Sequence, residues 1–274
     1  MRAVRHVLDA IKFEHTVFAL PFAYVAMVLA ADGWPGWRVL VWVTLAMSVN
    51  RLADRWIDAR NPRTGGRHLP SVLLSPRQVG AAAILSGALL LVSAARLNPL
   101  CLALSPLAVL FLVGYSYTKR VTWLSHWILG FTDGIAAAGG WIAVRETFDP
   151  PVFILWFALT VWIAGFDLIY ACQDVDFDRA EGLHSVPARF GVAAALHAAK
   201  ACHVLTVGAF AALGAVMGLG VLYWVGVLVV AGLLVYEHSL VSPTDLSRLD
   251  IAFFNVNGYI AVIVFLAALA GLWT

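Results

Sequence analysis

NRLADRWIDARNPRTGGRHLP, residues 50–70, decides the fold, because it gathers Asp54, Asp58 and five Arg in a chain that is only 12% charged. Its surroundings are apolar. The 274 residues are 62% hydrophobic and include eleven Trp, with a mean hydropathy of +0.86, whereas soluble domains are roughly half apolar. This is the composition of an integral membrane protein. Apolar runs of about 20 residues, the length needed to cross ~30 Å of hydrocarbon, are read at 13–31, 36–53, 77–96, 99–118, 121–144, 150–174, 191–218, 219–237 and 251–273. The expected architecture is all-α, with nine transmembrane helices around a central cavity in a single domain over 1–274.

Lys and Arg orient the chain. With a cytoplasmic N-terminus, fifteen of the 18 fall on inside segments, leaving only Arg38, Arg96 and Arg145 outside, as the positive-inside rule requires for an odd number of spans. MRAVRHVLDAIK reads as an amphipathic helix on the cytoplasmic face, not as a cleavable signal, since no small-residue cleavage site follows. Cys101, Cys172 and Cys202 lack metal spacing and are expected to be inert. The net charge of +2 is explained by cytoplasmic flanks and needs no nucleic-acid partner. No nucleotide-binding Gly loop, zinc signature or Gly-x-Ser-x-Gly elbow is present.

The charge of the opening stretch lies on one helix face. At about 100° per residue, Asn50, Asp54 and Asp58 fall within an ~80° arc. DLIYACQDVDFDRAEGLHSVPARFG, from residue 167, ends the sixth span in the same way: Asp167, Asp174 and Asp178 lie within ~40° of one another, and Asp176 points roughly opposite. Each cluster closes an inward-running span and leads through an Arg- and Pro-containing loop into a small-residue-rich helix. An internal repeat of about 36–96 and 150–218 would turn the two acidic faces toward each other. Carboxylates one turn apart near a membrane repel by several kcal/mol at an effective dielectric of ~20, and a cation between them removes that repulsion.

The donors are all oxygen, which favours Mg²⁺ over zinc. Mg²⁺ is characteristically shared between one or two carboxylates and substrate phosphates, so facing carboxylate pairs suggest a polyphosphate ligand. Arg63 and Arg67 in the first loop fit the same ligand, as do Tyr115, Lys119 and Arg120 of YSYTKR.

These residues also carry a resemblance. NRLADRWID resembles the first Asp-rich motif (Asn-x3-Asp-x3-Asp) of the UbiA superfamily of intramembrane aromatic prenyltransferases, and DVDFD resembles the second (Asp-x3-Asp). YSYTKR and the nine spans agree, and IKFEHTVFALPFAYV (11–25) looks most like the 4-hydroxybenzoate polyprenyltransferase-like branch, which includes menaquinone-pathway enzymes acting on 1,4-dihydroxy-6-naphthoate. The resemblance implies a bacterial or archaeal cytoplasmic-membrane enzyme of quinone biosynthesis with its site toward the cytoplasm. Asn50, Asp54, Asp58, Asp174 and Asp178 would hold Mg²⁺ on a polyprenyl diphosphate, steadied by Arg67, Tyr115 and Lys119. The allylic cation would be captured by a ring carbon of an aromatic acid. Lys12 or His15, beside Glu14, is expected to pair with the acceptor carboxylate. Asp133, an acid near mid-membrane and no part of the shared motifs, is a functional candidate by default; it is assigned to the acceptor, as is Asp167. The other His residues lack partners at useful spacing and are read as structural. The rival is a polytopic transporter with an acidic ion or substrate site, although transporter sites normally lie near the midplane.

Overall fold

The computed structural model describes residues 13–58 and 76–274, and the side chains of 20–47, 84–115 and 117–274. The described residues form helices α1 (Phe13–Ala31), α2 (Trp37–Asp58), α3 (Pro76–Leu97), α4 (Pro99–Thr118), α5 (Ser125–Arg145) and α6 (Pro150–Tyr170). A 3₁₀ turn (Ala171–Asp174) and the short α7 (Val175–Ala180) and α8 (Val186–Phe190) follow, then α9 (Val192–Met217), α10 (Val221–Ser239), a π turn (Ile251–Val256) and α11 (Asn257–Gly271). Among them, five segments are long and apolar enough to cross a membrane: Ser125–Arg145, Pro150–Ala180, Val192–Met217, Val221–Ser239 and Ile251–Gly271. Helices α1 to α4 hold shorter apolar stretches, Leu20–Ala31, Trp37–Met47, Ile84–Leu97 and Pro99–Tyr115.

Helix starts follow local chemistry. Pro99 and Pro150 occupy first-turn positions, where the missing N–H costs nothing and φ is already helical. Asn98 caps α4 by accepting from the Cys101 N–H at 2.8 Å, and its amide donates to Ile142 O at 2.8 Å, tying the start of α4 to the far end of α5.

Helix α5 is the hub, packing on α1, α2, α4 and α6, while α6 also packs on α9 and α1 on α11. Its glycines make this contact possible. A Cβ at Gly130 would overlap the Thr160 carbonyl, one at Gly134 would overlap the Trp156 ring, and one at Gly140 would lie 2.5 Å from Ala23 O. The core centres on Phe22, whose ring lies 4.9 Å from Trp162 and 6.3 Å from Phe210.

A buried polar chain joins α6, α9, α10 and α11. Trp162 Nε1 donates to Asn257 Oδ1 at 2.9 Å, and Asn257 Nδ2 donates to Glu237 Oε1 at 2.9 Å. Glu237 faces His203, which bonds His238 at 2.9 Å. In the apolar interior, unpaired polar groups are costly, so this chain specifies how the four helices meet.

Candidate active site

The C-terminal end of α4 meets the segment after α6. Lys119 Nζ donates to Asp178 Oδ2 at 3.2 Å, and the Asp178 side chain is 0% exposed against 21% for Lys119. The His184 N–H donates to Lys119 O at 2.6 Å, so the chain beyond α7 is fastened to the same helix end. Asp174 is half-buried and Asp176 exposed. The expected contrast between Asp178 and Asp176 is therefore present.

The sixth span does not run straight into this motif. A 3₁₀ turn over Ala171–Asp174, which advances about 120° per residue rather than 100°, separates Asp167 from Asp178. Asp167 meets His126 at the start of α5, Oδ2 to Nδ1, at 2.6 Å. The Val186 N–H donates to His126 Nε2 at 3.3 Å. A backbone N–H can only donate, so Nε2 is the acceptor and the ring proton sits on Nδ1, pointing at the carboxylate. This corrects the reading of the remaining histidines as lacking partners: His126, fully buried, holds Asp167, and His203 and His238 hold each other. No spacing signal announces the pair, since 41 residues separate His126 from Asp167.

Beyond the charged end lies an apolar cavity of about 290 Å³ between α2, α3, α4, α5 and the side of α6. It runs along α4 from Cys101 to Leu112 and along α5 from Phe131 to Ile142. At 1.5 Å per residue it begins about 10 Å from the level of Lys119 and ends about 27 Å from it. Asp133 is the one charged residue lining it among those described. Phe131 and Trp156 wall one side, with ring centroids 4.6 Å apart and Trp156 Nε1 donating to Phe131 O at 2.8 Å.

Arg120 lies on the outer surface over the Tyr117 ring at 5.7 Å. Helix α2 continues through Asn50, Asp54 and Asp58, and α1 includes His15, but these side chains lie outside the described ones, as do Lys12, Arg63 and Arg67 altogether. Among the described residues no three His, Cys, Asp or Glu side chains converge as a metal site. The donors present still fit Mg²⁺, which needs only one or two carboxylates alongside phosphate and water: Asp174 and Asp178 supply two, one turn apart, and buried Asp178 already faces a cation in Lys119.

The UbiA prenyltransferase family model matches residues 19–273. The chain belongs to this family. Its similarity to the 4-hydroxybenzoate octaprenyltransferase of Aliivibrio salmonicida (strain LFI1238) is 33% identity over 177 residues, 61% of this chain and 61% of that relative. The enzyme of the same name from Vibrio cholerae serotype O1 (strain ATCC 39541) is 33% identical over 178 residues, again 61% of each. The chain thus matches about three-fifths of the length of these curated relatives. A UbiA homologue from Aeropyrum pernix K1, solved in its apo form, is 32% identical with a TM-score of 0.81, covering 93% of this chain and 96% of that one. A UbiA homologue from Archaeoglobus fulgidus bound to GPP and Mg²⁺ shares the fold at 17% identity and a TM-score of 0.68, over 98% of this chain and all of its own. Family membership leaves the transporter reading without support.

Proposed function

We propose that this UbiA family member transfers a polyprenyl group from a prenyl diphosphate to a ring carbon of an aromatic acid of the 4-hydroxybenzoate type. The observation that carries the reading is the pairing of Lys119 with fully buried Asp178 at one end of a bundle whose neighbouring interior is an apolar cavity. A prenyl diphosphate has the same polarity: an anionic head and a hydrocarbon tail. The curated relatives' names support the acceptor class, and the A. fulgidus homologue carries ligands of the proposed donor class.

Lys119 and Tyr115, with Arg63 and Arg67, steady the diphosphate oxygens through charge-assisted hydrogen bonds, whereas Arg120, on the outer surface over Tyr117, is left out of this set. Asn50, Asp54, Asp58, Asp174 and Asp178 are the residues that would hold Mg²⁺, whose charge would stabilise the departing diphosphate. The donor's C–O bond breaks, the ring carbon forms a C–C bond to the allylic carbon, and the ring proton leaves to a base. Asp133, which lines the apolar cavity, and Asp167, held by His126, are the carboxylates assigned to the acceptor, to take that proton or to hold a phenol. Lys12 or His15 pairs with the acceptor carboxylate. The apolar walls keep water from the cation. The site faces the cytoplasm of a nine-span protein.

The test is diphosphate release by purified protein in nanodiscs, with 4-hydroxybenzoate and 1,4-dihydroxy-6-naphthoate compared as acceptors. Release that requires 4-hydroxybenzoate and is lost in Asp178→Ala supports the proposal. Preference for the naphthoate would reassign the acceptor, and release indifferent to any aromatic acid would refute transfer.

A further inference from the structure

Helix α5 carries Gly130, Gly134, Gly139 and Gly140 within eleven residues of a buried helix, although each glycine in a helix interior costs about 0.5–1 kcal/mol relative to Ala. Three have a packing reason: a Cβ there would strike the Thr160 carbonyl, the Trp156 ring or the Ala23 carbonyl. Gly139 has none. Its Cβ would meet no atom within 4 Å, and Gly139 lines the apolar cavity. What the missing side chain leaves is cavity space.

The position of that space is specific. Gly139 lies six residues beyond Asp133 and thirteen beyond His126, so its level is about 9 Å past the cavity's carboxylate and about 20 Å from the charged end, at 1.5 Å per residue. Beyond it the cavity is lined by Ile142, Leu97, Cys101 and Phe148. A tail entering from the diphosphate end passes Asp133 first and reaches Gly139 only when it is long.

We propose that Gly139 sets the length of prenyl chain the cavity accepts. The inference rests on the donor placement given above. The neighbouring Gly140 has no such freedom, so the two adjacent glycines serve different ends: one lets α1 approach, the other keeps the slot open.

The test compares wild type, Gly139→Ala and Gly139→Leu for binding and transfer of geranyl, farnesyl, geranylgeranyl and octaprenyl diphosphate, with thermal unfolding as the check on folding. Leu at 139 should leave geranyl diphosphate unaffected and weaken octaprenyl diphosphate at least about tenfold in both Kd and kcat/KM, the scale of an added obstruction in an apolar pocket. Ala should fold at least as stably as wild type and shift the preference in the same direction by less. Variants that treat all four donors as wild type does overturn the inference, as does Leu weakening all four equally while folded; the former is also the result expected if a lipid acyl chain fills the cavity. Wild type that binds no prenyl diphosphate overturns the donor reading itself, and is recognised by its failure across every chain length before any substitution is made.

Discussion

His126 makes two hydrogen bonds with two different consequences, and two substitutions separate them. Asn places an amide N–H near the position of Nδ1 and retains donation to Asp167; Gln places a carbonyl near Nε2 and retains acceptance from the Val186 N–H. His126→Phe keeps the volume and loses both. The Val186 N–H is then buried without an acceptor, at about 1–3 kcal/mol, and the bond to the Asp167 carboxylate, worth about 1.5–3 kcal/mol, disappears. Taken together, at about 2–4 °C per kcal/mol for chains near this size, the unfolding midpoint should fall by roughly 5–20 °C. Thermal unfolding in detergent reads the Val186 arm, and acceptor KM reads the Asp167 arm. Gln should recover much of the midpoint with a raised acceptor KM, whereas Asn should recover the KM with a lowered midpoint. If Phe lies within about 0.5 kcal/mol of wild type, as an ordinary surface change would, or if Asn and Gln behave alike in both assays, the two-armed role of His126 is wrong.

Lys119→Met removes the cation that bonds a carboxylate 0% exposed and should destabilise the protein by about 1.5–3 kcal/mol; in a double-mutant cycle with Asp178→Asn the coupling should be about 0.5–3 kcal/mol, and strict additivity would argue against the pair. Asp176→Ala, on the exposed side of α7, should retain most of the transfer rate, while Asp178→Ala loses it; equal losses would contradict the division of faces. Asn257→Leu removes the amide that donates to fully buried Glu237 and should lower stability by about 1–3 kcal/mol, read as a lower unfolding midpoint with donor affinity unchanged.

The helices were legible because apolar runs end where chemistry ends them. The run read at 99–118 is α4 to the residue, since Pro99 starts it and YTKR stops it. The run read at 150–174 lies within the apolar segment Pro150–Ala180, but the helix tightens at Ala171, a change of pitch that apolar composition does not announce. The contrast between Asp176 and Asp178 survived because both lie in α7, after the break. His126 was missed because its partners come from α6 and from the first residue of α8, and nothing local marks a histidine that three elements will enclose. The distinction between Gly139 and Gly140 is equally invisible in GGW, because it depends on whether Ala23 or empty space lies opposite.

The most direct test of prenyl transfer is mass spectrometry of the products formed by the purified protein from prenyl diphosphate and 4-hydroxybenzoate, with Mg²⁺ and with chelator. A single product bearing the prenyl group on a ring carbon, formed only with Mg²⁺ and absent in Asp178→Ala, is the predicted result. Unchanged 4-hydroxybenzoate with every prenyl diphosphate supplied, from protein shown to be folded, would contradict it.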